Sequence, residues 1–495
     1  MLMSHTSGSS LNPCHWAPVR KELLFATIIL GSCATGSLGP LLVPGFVLVA
    51  ADLQVDLTSV TLLNGSLVMA LGVSAYVCSC FATCFGKRPV YLSTAMLVLV
   101  SCCWAAASKS YSSLIASRVF QGLGMGGFFA LAGTSSINDV FLVHERGLRV
   151  GLWNFAVITS VNVTPVISGY VISSLSWRWC FWLEAILFGV LLAAVIFCFP
   201  ETTVFHDDHV SPAVDGTPDN ESLSQKEMSP VGSSHEVGGL TTSQFSDEKE
   251  KCSFPIPRQR QQTNLLIALV EPLILIIHPI IAWGCIMWAV TFTWTILLGA
   301  VASQVFTAAP FNMTTVAVGN LTGIAPLIGS ALGTVLGGWL CDWSSRVLSA
   351  RNNNIYEPEF RLPVILIATV AMAAGAFGLA AATTHGSSII ICGVTMAILN
   401  FAVGMGCTGI VAYTNDVCGD RAGDGFGLAM IVKSAFAFGL SFVYNQFLTR
   451  SGPMVLFSTF GAVSLGVMLT TIPLYFYGKR IRAWSETHDL LHRGR

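Results

Sequence analysis

Long apolar runs without any charged side chain alternate with short polar segments along this chain. Uncharged stretches cover 23–51, 57–86, 150–177, 272–341 and 362–415. A charge at bilayer depth costs roughly 2.5 to 3.5 kcal/mol even on lenient insertion scales, so such runs indicate membrane spans. Each span needs about 20 residues. We predict twelve spans, at 23–48, 60–84, 89–108, 113–138, 150–174, 179–199, 280–302, 315–340, 363–383, 388–413, 426–448 and 454–477.

The distribution of lysine and arginine between the spans predicts their orientation. With a cytoplasmic N-terminus, twenty basic residues fall on the cytoplasmic side, and only Lys109, Arg178 and Arg450 fall on the other. Cytoplasmic segments of membrane proteins carry the excess of basic residues. Both termini are therefore predicted to be cytoplasmic, which requires an even number of spans.

The segment 201–263 differs in composition from the rest of the chain. It is rich in Ser, Pro and Gly and contains 11 acidic and 5 basic residues. Such a segment cannot bury enough apolar surface to fold, so we predict a disordered cytoplasmic linker. The linker divides the chain into two halves of six spans, an arrangement typical of secondary transporters, whose substrate site lies between the halves.

The two halves have definite boundaries in the sequence. The first covers 23–200 and the second 264–479, with cytoplasmic tails at 1–22 and 480–495. The apolar run 265–278 is too short to cross a bilayer, so we expect it to form an interfacial helix leading the second half. The predicted fold is an all-α integral membrane protein with twelve transmembrane helices in two pseudo-symmetric halves.

Composition narrows the function classes. Charged residues make up 10% of the chain, hydrophobic residues 53%, and the net charge is −1. This balance excludes a soluble enzyme and a nucleic-acid binder. The 15 cysteines lie mostly in apolar runs, and none forms a CxxC pair with histidine at zinc spacing, so we expect neither a metal nor a cofactor.

Three motifs connect the chain to a known family. Span four contains RVFQGLGMGG from Arg118 to Gly127, the segment after it reads DVFLVHERG from Asp139, and span six opens with WRWCFW from Trp177. With twelve spans, these resemble the major facilitator superfamily, and more narrowly the fungal twelve-span drug and metabolite proton antiporters. The resemblance covers the chain outside the tails and the linker. It implies alternating access and an arginine at position 118 that takes part in proton coupling.

Two family patterns are altered. Between spans two and three only Gly86-Lys87-Arg88-Pro89 remains, and Thr83 stands where the family has an acid. In span five the antiporter signature ending in GPxxGG reads Thr164 to Gly169, with two glycines replaced. The second departure weakens the assignment to antiporters that export their substrate.

Three ionisable residues lie deep within predicted spans. Arg118, followed by Gln121, ties span four to backbone carbonyls, tunes a proton-binding group, or holds an anionic group of the substrate. Lys433 in span eleven is a titrating group, a counter-charge for an acidic substrate, or a lysine without a transport role. Glu184 in span six either pairs with Arg178 or binds the coupled proton.

Charged residues and glycines at the cytoplasmic span ends are expected to form a gate. The resemblance places Gly86, Lys87, Arg88, Asp139 and Asp342 at this gate. Arg88, Asp139 and Asp342 would form a charge latch that breaks when the halves rock. The alternative is ordinary anchoring at the membrane surface.

Glycines inside span four superficially match a dinucleotide-binding spacing, but they follow no predicted strand. We expect Gly122, Gly126, Gly333 and Gly337 to let helices approach closely instead.

Aromatic and amide side chains in four spans are the predicted wall of a central cavity. Such side chains suit large apolar organic molecules. They are Trp153, Asn154, Trp288, Trp294, Asn400, Tyr413, Phe436 and Tyr444. Asn312 begins a glycosylation sequon in an external loop.

The sequence therefore predicts a monomeric transporter, in the plasma membrane or else in a vacuole or vesicle. It would export a hydrophobic drug, toxin or fungal secondary metabolite in exchange for protons. Two alternatives stay open: an importer or facilitator of a nutrient or vitamin, and a membrane sensor that transports nothing.

Overall fold

A computed structural model describes residues 16–132, 136–141, 143–200 and 265–488. These residues form long α-helices, and twelve segments are long and apolar enough to cross a membrane. The helices of the first half are α1 (Pro18–Leu38), α2 (Phe46–Leu53), α3 (Leu57–Phe85), α4 (Lys87–Ala107), α5 (Tyr111–Leu131), α6 (Ile137–Val140), α7 (Val143–Ser174) and α8 (Trp177–Cys198). Those of the second half are α9 (Leu265–Ile274), α10 (Pro279–Thr307), α11 (Thr315–Arg351), α12 (Pro363–Thr384), α13 (Ile389–Cys418), α14 (Ala422–Ser441), α15 (Tyr444–Leu469) and α16 (Thr471–Thr487).

The predicted fold class, all-α with twelve transmembrane helices, is confirmed. A backbone inside hydrocarbon must pair its own N–H and C=O groups, and a helix does so within one segment. The predicted linker 201–263 lies outside the described residues, as do 1–15 and 489–495 of the two predicted tails.

Helix ends extend beyond the predicted spans. Helix α1 begins at Pro18, before the charged residues Lys21 and Glu22, although its predicted span begins at residue 23. Helix α13 continues to Cys418, past the predicted end at 413. An apolar run marks only the part of a helix inside hydrocarbon, whereas the helix itself continues into the interface.

Two membrane segments are interrupted. The first has a 3₁₀ turn at Val43–Gly45 between α1 and α2. The last membrane segment is interrupted within α15, which is kinked at Gly452. The φ of Gly452 is 77°, in the left-handed region, and Pro453 follows it. Proline has no N–H to continue the helical ladder, and glycine tolerates positive φ, so this pair sets the corner near the outer membrane surface.

Each half has its own apolar core, and paired helices join the halves. The helices α3 and α14 pack together, as do α7 and α11. Between α7 and α11, Asn162 donates from Nδ2 to Ser330 Oγ at 3.2 Å. We use "outer" and "cytoplasmic" for the predicted orientation.

Glycines permit the close packing inside each half. A Cβ on Gly122 would collide with the Leu67 carbonyl oxygen of α3, and one on Gly126 would collide with Ser74. In the second half, a Cβ on Gly333 would collide with the Phe401 carbonyl oxygen of α13, and Gly337 packs against Met405.

Candidate functional site

The guanidinium of Arg118 is fully buried within the first half. Helix α5 is capped by Ser110, whose side chain accepts from the Ser113 N–H, and Arg118 lies two turns further on. Its Nη1 donates to the carbonyl oxygen of Leu38 at 3.1 Å and to Gln121 Oε1 at 2.9 Å. Its Nε and Nη2 have no hydrogen-bond partner. The arginine thus joins α5 to the end of α1 and keeps two of its three nitrogens without a partner.

Glu184 of α8 is the buried acid of the same region. Its carboxylate lies close enough to Arg118 for an electrostatic interaction and next to Ser37. Within the described residues, however, the two side chains form no ion pair within 4 Å, and Glu184 Oε2 has no hydrogen-bond partner. The phenyl ring of Phe181 lies 5.3 Å from the Arg118 guanidinium carbon.

Arg178 does not pair with Glu184, which was one of the two sequence-based interpretations of that acid. Its Nη1 lies 2.8 Å from Asp52 Oδ2 at the end of α2, and Trp177 donates to the same oxygen at 3.0 Å. The sequence did not predict that Asp52 would be the partner of Arg178. Asp52 reaches the outer end of α8 only because the first membrane segment is broken and continues as α2.

Lys433 is the second buried cation, in the middle of α14. Its ammonium lies 3.9 Å from the ring centroid of Phe292 and 4.7 Å from that of Trp288. Both rings belong to α10, four residues apart and therefore on one helix face. Cys407 of α13 interacts with both Lys433 and Trp288. The described part of the chain provides Lys433 with neither an ion pair nor a hydrogen bond.

A small crevice lies beside Trp288. Helices α10, α13 and α14 line it, and Phe426 and Cys418 are among its lining residues. Its free volume of about 20 Å³ is room for about one water molecule. Thr414 and Asn415 are the polar residues of an otherwise mainly apolar lining.

The remaining predicted wall residues do not form one cluster. Trp153 donates to Ser32 Oγ at 2.8 Å and so joins α7 to α1. Trp294 lies on a different face of α10 from Trp288 and donates to Ser464 Oγ of α15 at 2.9 Å. Tyr413 contacts Trp283 edge to face near the cytoplasmic ends, with its hydroxyl unpaired.

Three further predicted wall residues have less specific surroundings. Asn400 is buried and donates to the Met396 carbonyl oxygen of its own helix at 2.9 Å. Phe436 is 39% exposed, and Asn154 is half-buried. The structure therefore brings Lys433, Trp288 and Phe292 together, and it does not bring Trp294 or Tyr413 to them.

The charges predicted at the cytoplasmic gate pair within their own halves. Lys87 forms an ion pair with Asp139, and Arg88 Nη2 donates to the Ile196 carbonyl oxygen at 3.0 Å. Asp342 lies 3.9 Å from Arg361 of the same half. Gly86 has a φ of 94°, which lets the chain turn between α3 and α4.

A contact across the halves on this side was not predicted. Arg421, at the start of α14, lies 3.3 Å from Glu271 of α9, and the Tyr76 hydroxyl of α3 donates to the Leu269 carbonyl oxygen of α9. Helix α9 thereby contacts both halves. Glu271 inside the apolar run 265–278 was the signal that this helix needs a basic partner.

Other contacts join the halves at the outer side. Asn445 Nδ2 donates to Thr61 Oγ1 at 2.9 Å, and Gln304 donates to Asn445 Oδ1. Asn312 lies exposed in the loop between α10 and α11, where the sequon predicts a glycan. The structure has no group of three His, Cys, Asp or Glu side chains suited to a metal ion among the residues it describes.

The chain resembles known membrane transporters over most of its length. Residues 24–442 match the family model described as Major Facilitator Superfamily. An uncharacterised MFS-type transporter of Schizosaccharomyces pombe is 22% identical, over 98% of this chain and 88% of that protein.

Two further relatives have names that state an activity. The probable efflux pump mfs2 of Aspergillus flavus is 22% identical over 90% of this chain and its own full length. The MFS antiporter QDR3 of Candida albicans is 22% identical over 96% of this chain and 80% of its own.

The fold also occurs in solved structures. A crystal structure of a D-xylose-proton symporter superposes with a TM-score of 0.61 at 14% identity, covering 91% of this chain and 97% of the symporter. At that identity the likeness extends to the fold alone.

Proposed function

Since the chain belongs to the major facilitator superfamily, we propose that this multi-pass membrane protein exports a hydrophobic small molecule in exchange for protons. Export would proceed by alternating access, with the chain acting as a monomer in the plasma membrane. The names of two relatives, an efflux pump and an antiporter, support the direction and the exchange.

The observation that most supports proton exchange is the arrangement of Arg118 and Glu184. Both side chains are buried, they interact through space, and each keeps polar atoms without a partner. Buried polar atoms are nearly always hydrogen-bonded, and an orphaned one needs an explanation such as water or a functional role. A site that binds and releases a proton provides that explanation, because its bonding must change during the cycle.

Protonation of Glu184 would change the balance of charge in the first half. With the carboxylate ionised, its field compensates the Arg118 guanidinium. Once the carboxyl group is protonated and neutral, the buried Arg118 guanidinium loses that compensation. It would then favour a conformation in which water or a polar group of the substrate solvates it. A proton that binds one conformation better than the other shifts the population between them, which is the requirement for coupling.

The cargo would bind mainly through apolar area. Aromatic faces from Trp288, Phe292 and Phe426 line one region between α10, α13 and α14. Aromatic side chains bury large areas while needing few polar partners. This composition supports a large apolar cargo over a small sugar, which needs many fixed hydrogen bonds.

Export can be tested in a yeast strain that lacks its own efflux pumps. Expression of the chain should raise resistance to some members of a panel of toxic hydrophobic acids, neutral molecules and bases, and should lower their accumulation. Increased accumulation of every compound that responds would instead show import. The panel spans all charge types, so the result does not depend on the charge of the cargo.

Coupling can be tested in proteoliposomes with a compound found in that screen. An imposed pH gradient should accelerate transport by the wild type, and Glu184→Gln should remove this acceleration because the amide cannot exchange a proton. Glu486→Gln, at an exposed position of α16, is the matched control and should behave as the wild type. Transport by the wild type that ignores the gradient would contradict the exchange.

A further inference from the structure

The surroundings of Lys433 are built for a positive charge. Its ammonium lies over two aromatic faces, at 3.9 Å from Phe292 and 4.7 Å from Trp288, well within the range of a cation–π interaction. An aromatic face attracts a cation through the negative side of its quadrupole. The two rings lower the cost of burying the ammonium but leave its hydrogen-bond donors unused.

Among the residues that the structure describes, none supplies an anion to this cation. The nearest acid on its own helix, Asp424, lies more than two turns away and binds Arg421 at 3.2 Å. Glu271 is also engaged with Arg421. Glu184 belongs to the other half, beside Arg118. Deep within the described spans two cations therefore face one acid, and the excess positive charge lies at Lys433.

The position of Lys433 suits contact with a cargo. Ser434, the next residue, packs against Gly72 of the first half, so this turn of α14 lies where the two halves meet. Trp288 and Phe292 are both half-buried, so each keeps part of its ring uncovered. The crevice between α10, α13 and α14 is lined in part by Trp288. It holds about one water molecule in this conformation, so the cargo would enter only after the halves move apart.

We propose that Lys433 binds a single negative charge on the cargo, and that the cargo is therefore an organic monoanion: a flat apolar body bearing one carboxylate or comparable acid group. The inference rests on the proposed transport function and names its substrate class. The acid group would accept hydrogen bonds from the Lys433 ammonium, while the apolar body stacks on Trp288. One lysine matches one charge, so a phosphate dianion would bring an uncompensated charge into the site.

A binding assay on the full chain in lipid nanodiscs tests this without any transport. The probes are benzoate, naphthalene-2-carboxylate and anthracene-2-carboxylate, each compared with its methyl ester, which has the same body without the charge. Saturable shifts of the thermal unfolding midpoint give the affinities. A charge-assisted hydrogen bond predicts that the best acid binds about ten- to a hundred-fold more tightly than its ester.

Variants assign that preference to the lysine. Lys433→Met should bind acid and ester equally, whereas Lys433→Arg should keep the preference. Lys109→Met, at an exposed position of an outer loop, is the matched control and should bind as the wild type. Equal affinities for acid and ester in the wild type, or no saturable shift with any acid, would overturn the inference.

A second measurement locates the site in the wild type, so that it does not depend on a variant that folds. Cys407 lies beside Lys433, and Cys198 lies in the other half with similar partial exposure. Bound acid should slow modification of Cys407 by N-ethylmaleimide, read by mass spectrometry, and leave Cys198 unchanged. Equal protection of both cysteines, or of neither, would contradict the site.

The inference and the proposed function can fail separately. A chain that binds acids through Lys433 but transports nothing would contradict only the export. A chain that exports neutral or basic compounds and shows no preference for acids would contradict only the inference.

Discussion

Two buried cations, Arg118 and Lys433, are stabilised in the membrane by different neighbours. Arg118 uses hydrogen bonds to the Leu38 carbonyl and to Gln121, and an acid lies nearby. Lys433 has two aromatic faces instead. The planar guanidinium can satisfy several acceptors at once, whereas an ammonium is a compact charge that suits a cage. Arg118 is thus part of a polar network, whereas the ammonium of Lys433 remains available to bind an anion.

The geometry of Arg118 predicts that lysine cannot replace it. Both acceptors receive from Nη1 at the far end of the guanidinium. The lysine ammonium is one bond closer to the backbone and would not reach both at hydrogen-bond distance, and each bond to a charged group is worth about 1.5–3 kcal/mol. We expect Arg118→Lys to lower the thermal unfolding midpoint and to abolish transport, with Arg118→Ala at least as severe. Arg450→Lys, at an exposed outer position, is the control for both measurements. Full transport by Arg118→Lys would show that the longer reach of the guanidinium is not required.

The sequence identified the two cations and Glu184 but only part of their surroundings. A charge within an apolar run is visible without a structure, and Gln121 follows from the motif. The sequence does not show which tryptophan of α10 contacts Lys433. Trp288 and Trp294 are six residues apart, so at 3.6 residues per turn their side chains lie about 120° apart around the helix. Because hydropathy is nearly uniform around this helix, the sequence does not indicate which face of the helix points into the protein.

At the level of single helices, the uncharged runs predicted how many helices cross the membrane but not where each one ends. Helix α10 begins at Pro279, whose missing N–H costs nothing in the first turn. Helix α9 was expected as an interfacial segment. Glu271 in its apolar run indicated a basic partner, but that this partner is Arg421, and that Tyr76 contacts the same helix, depends on distant elements.

Glycine packing between α11 and α13 gives a prediction with a control on the same helix. A Cβ on Gly333 would collide with the backbone oxygen of Phe401, whereas a Cβ on Gly338 meets nothing within 4 Å. Overpacking costs about 1–3 kcal/mol, and alanine is favoured over glycine in a helix by up to about 1 kcal/mol. Gly333→Ala should therefore lower the unfolding midpoint in detergent, while Gly338→Ala leaves it equal or raises it. Equal effects of the two would mean that the helices do not pack through Gly333.

At the scale of the whole molecule, the structure joins the halves on the outer side through Thr61, Asn445 and Gln304. The gate charges on the cytoplasmic side pair within each half, apart from the contacts made through α9. Alternating access requires the outer contacts to separate when the cargo leaves the cell. These contacts involve neutral side chains, so breaking them exposes amides and hydroxyls to water without separating buried charges.

A disulfide across that outer contact would therefore hold the protein in one state. Because the Thr61 and Asn445 side chains touch, Thr61→Cys combined with Asn445→Cys should form a cross-link under mild oxidation. The oxidised protein should lose transport and recover it in reductant, since a covalent bond between the halves prevents outward opening. Each single cysteine variant, oxidised in the same way, should keep its activity. If the cross-linked protein transports as fast as the reduced one, the halves do not separate at this contact, and the rocking motion proposed for export would need a different outer gate.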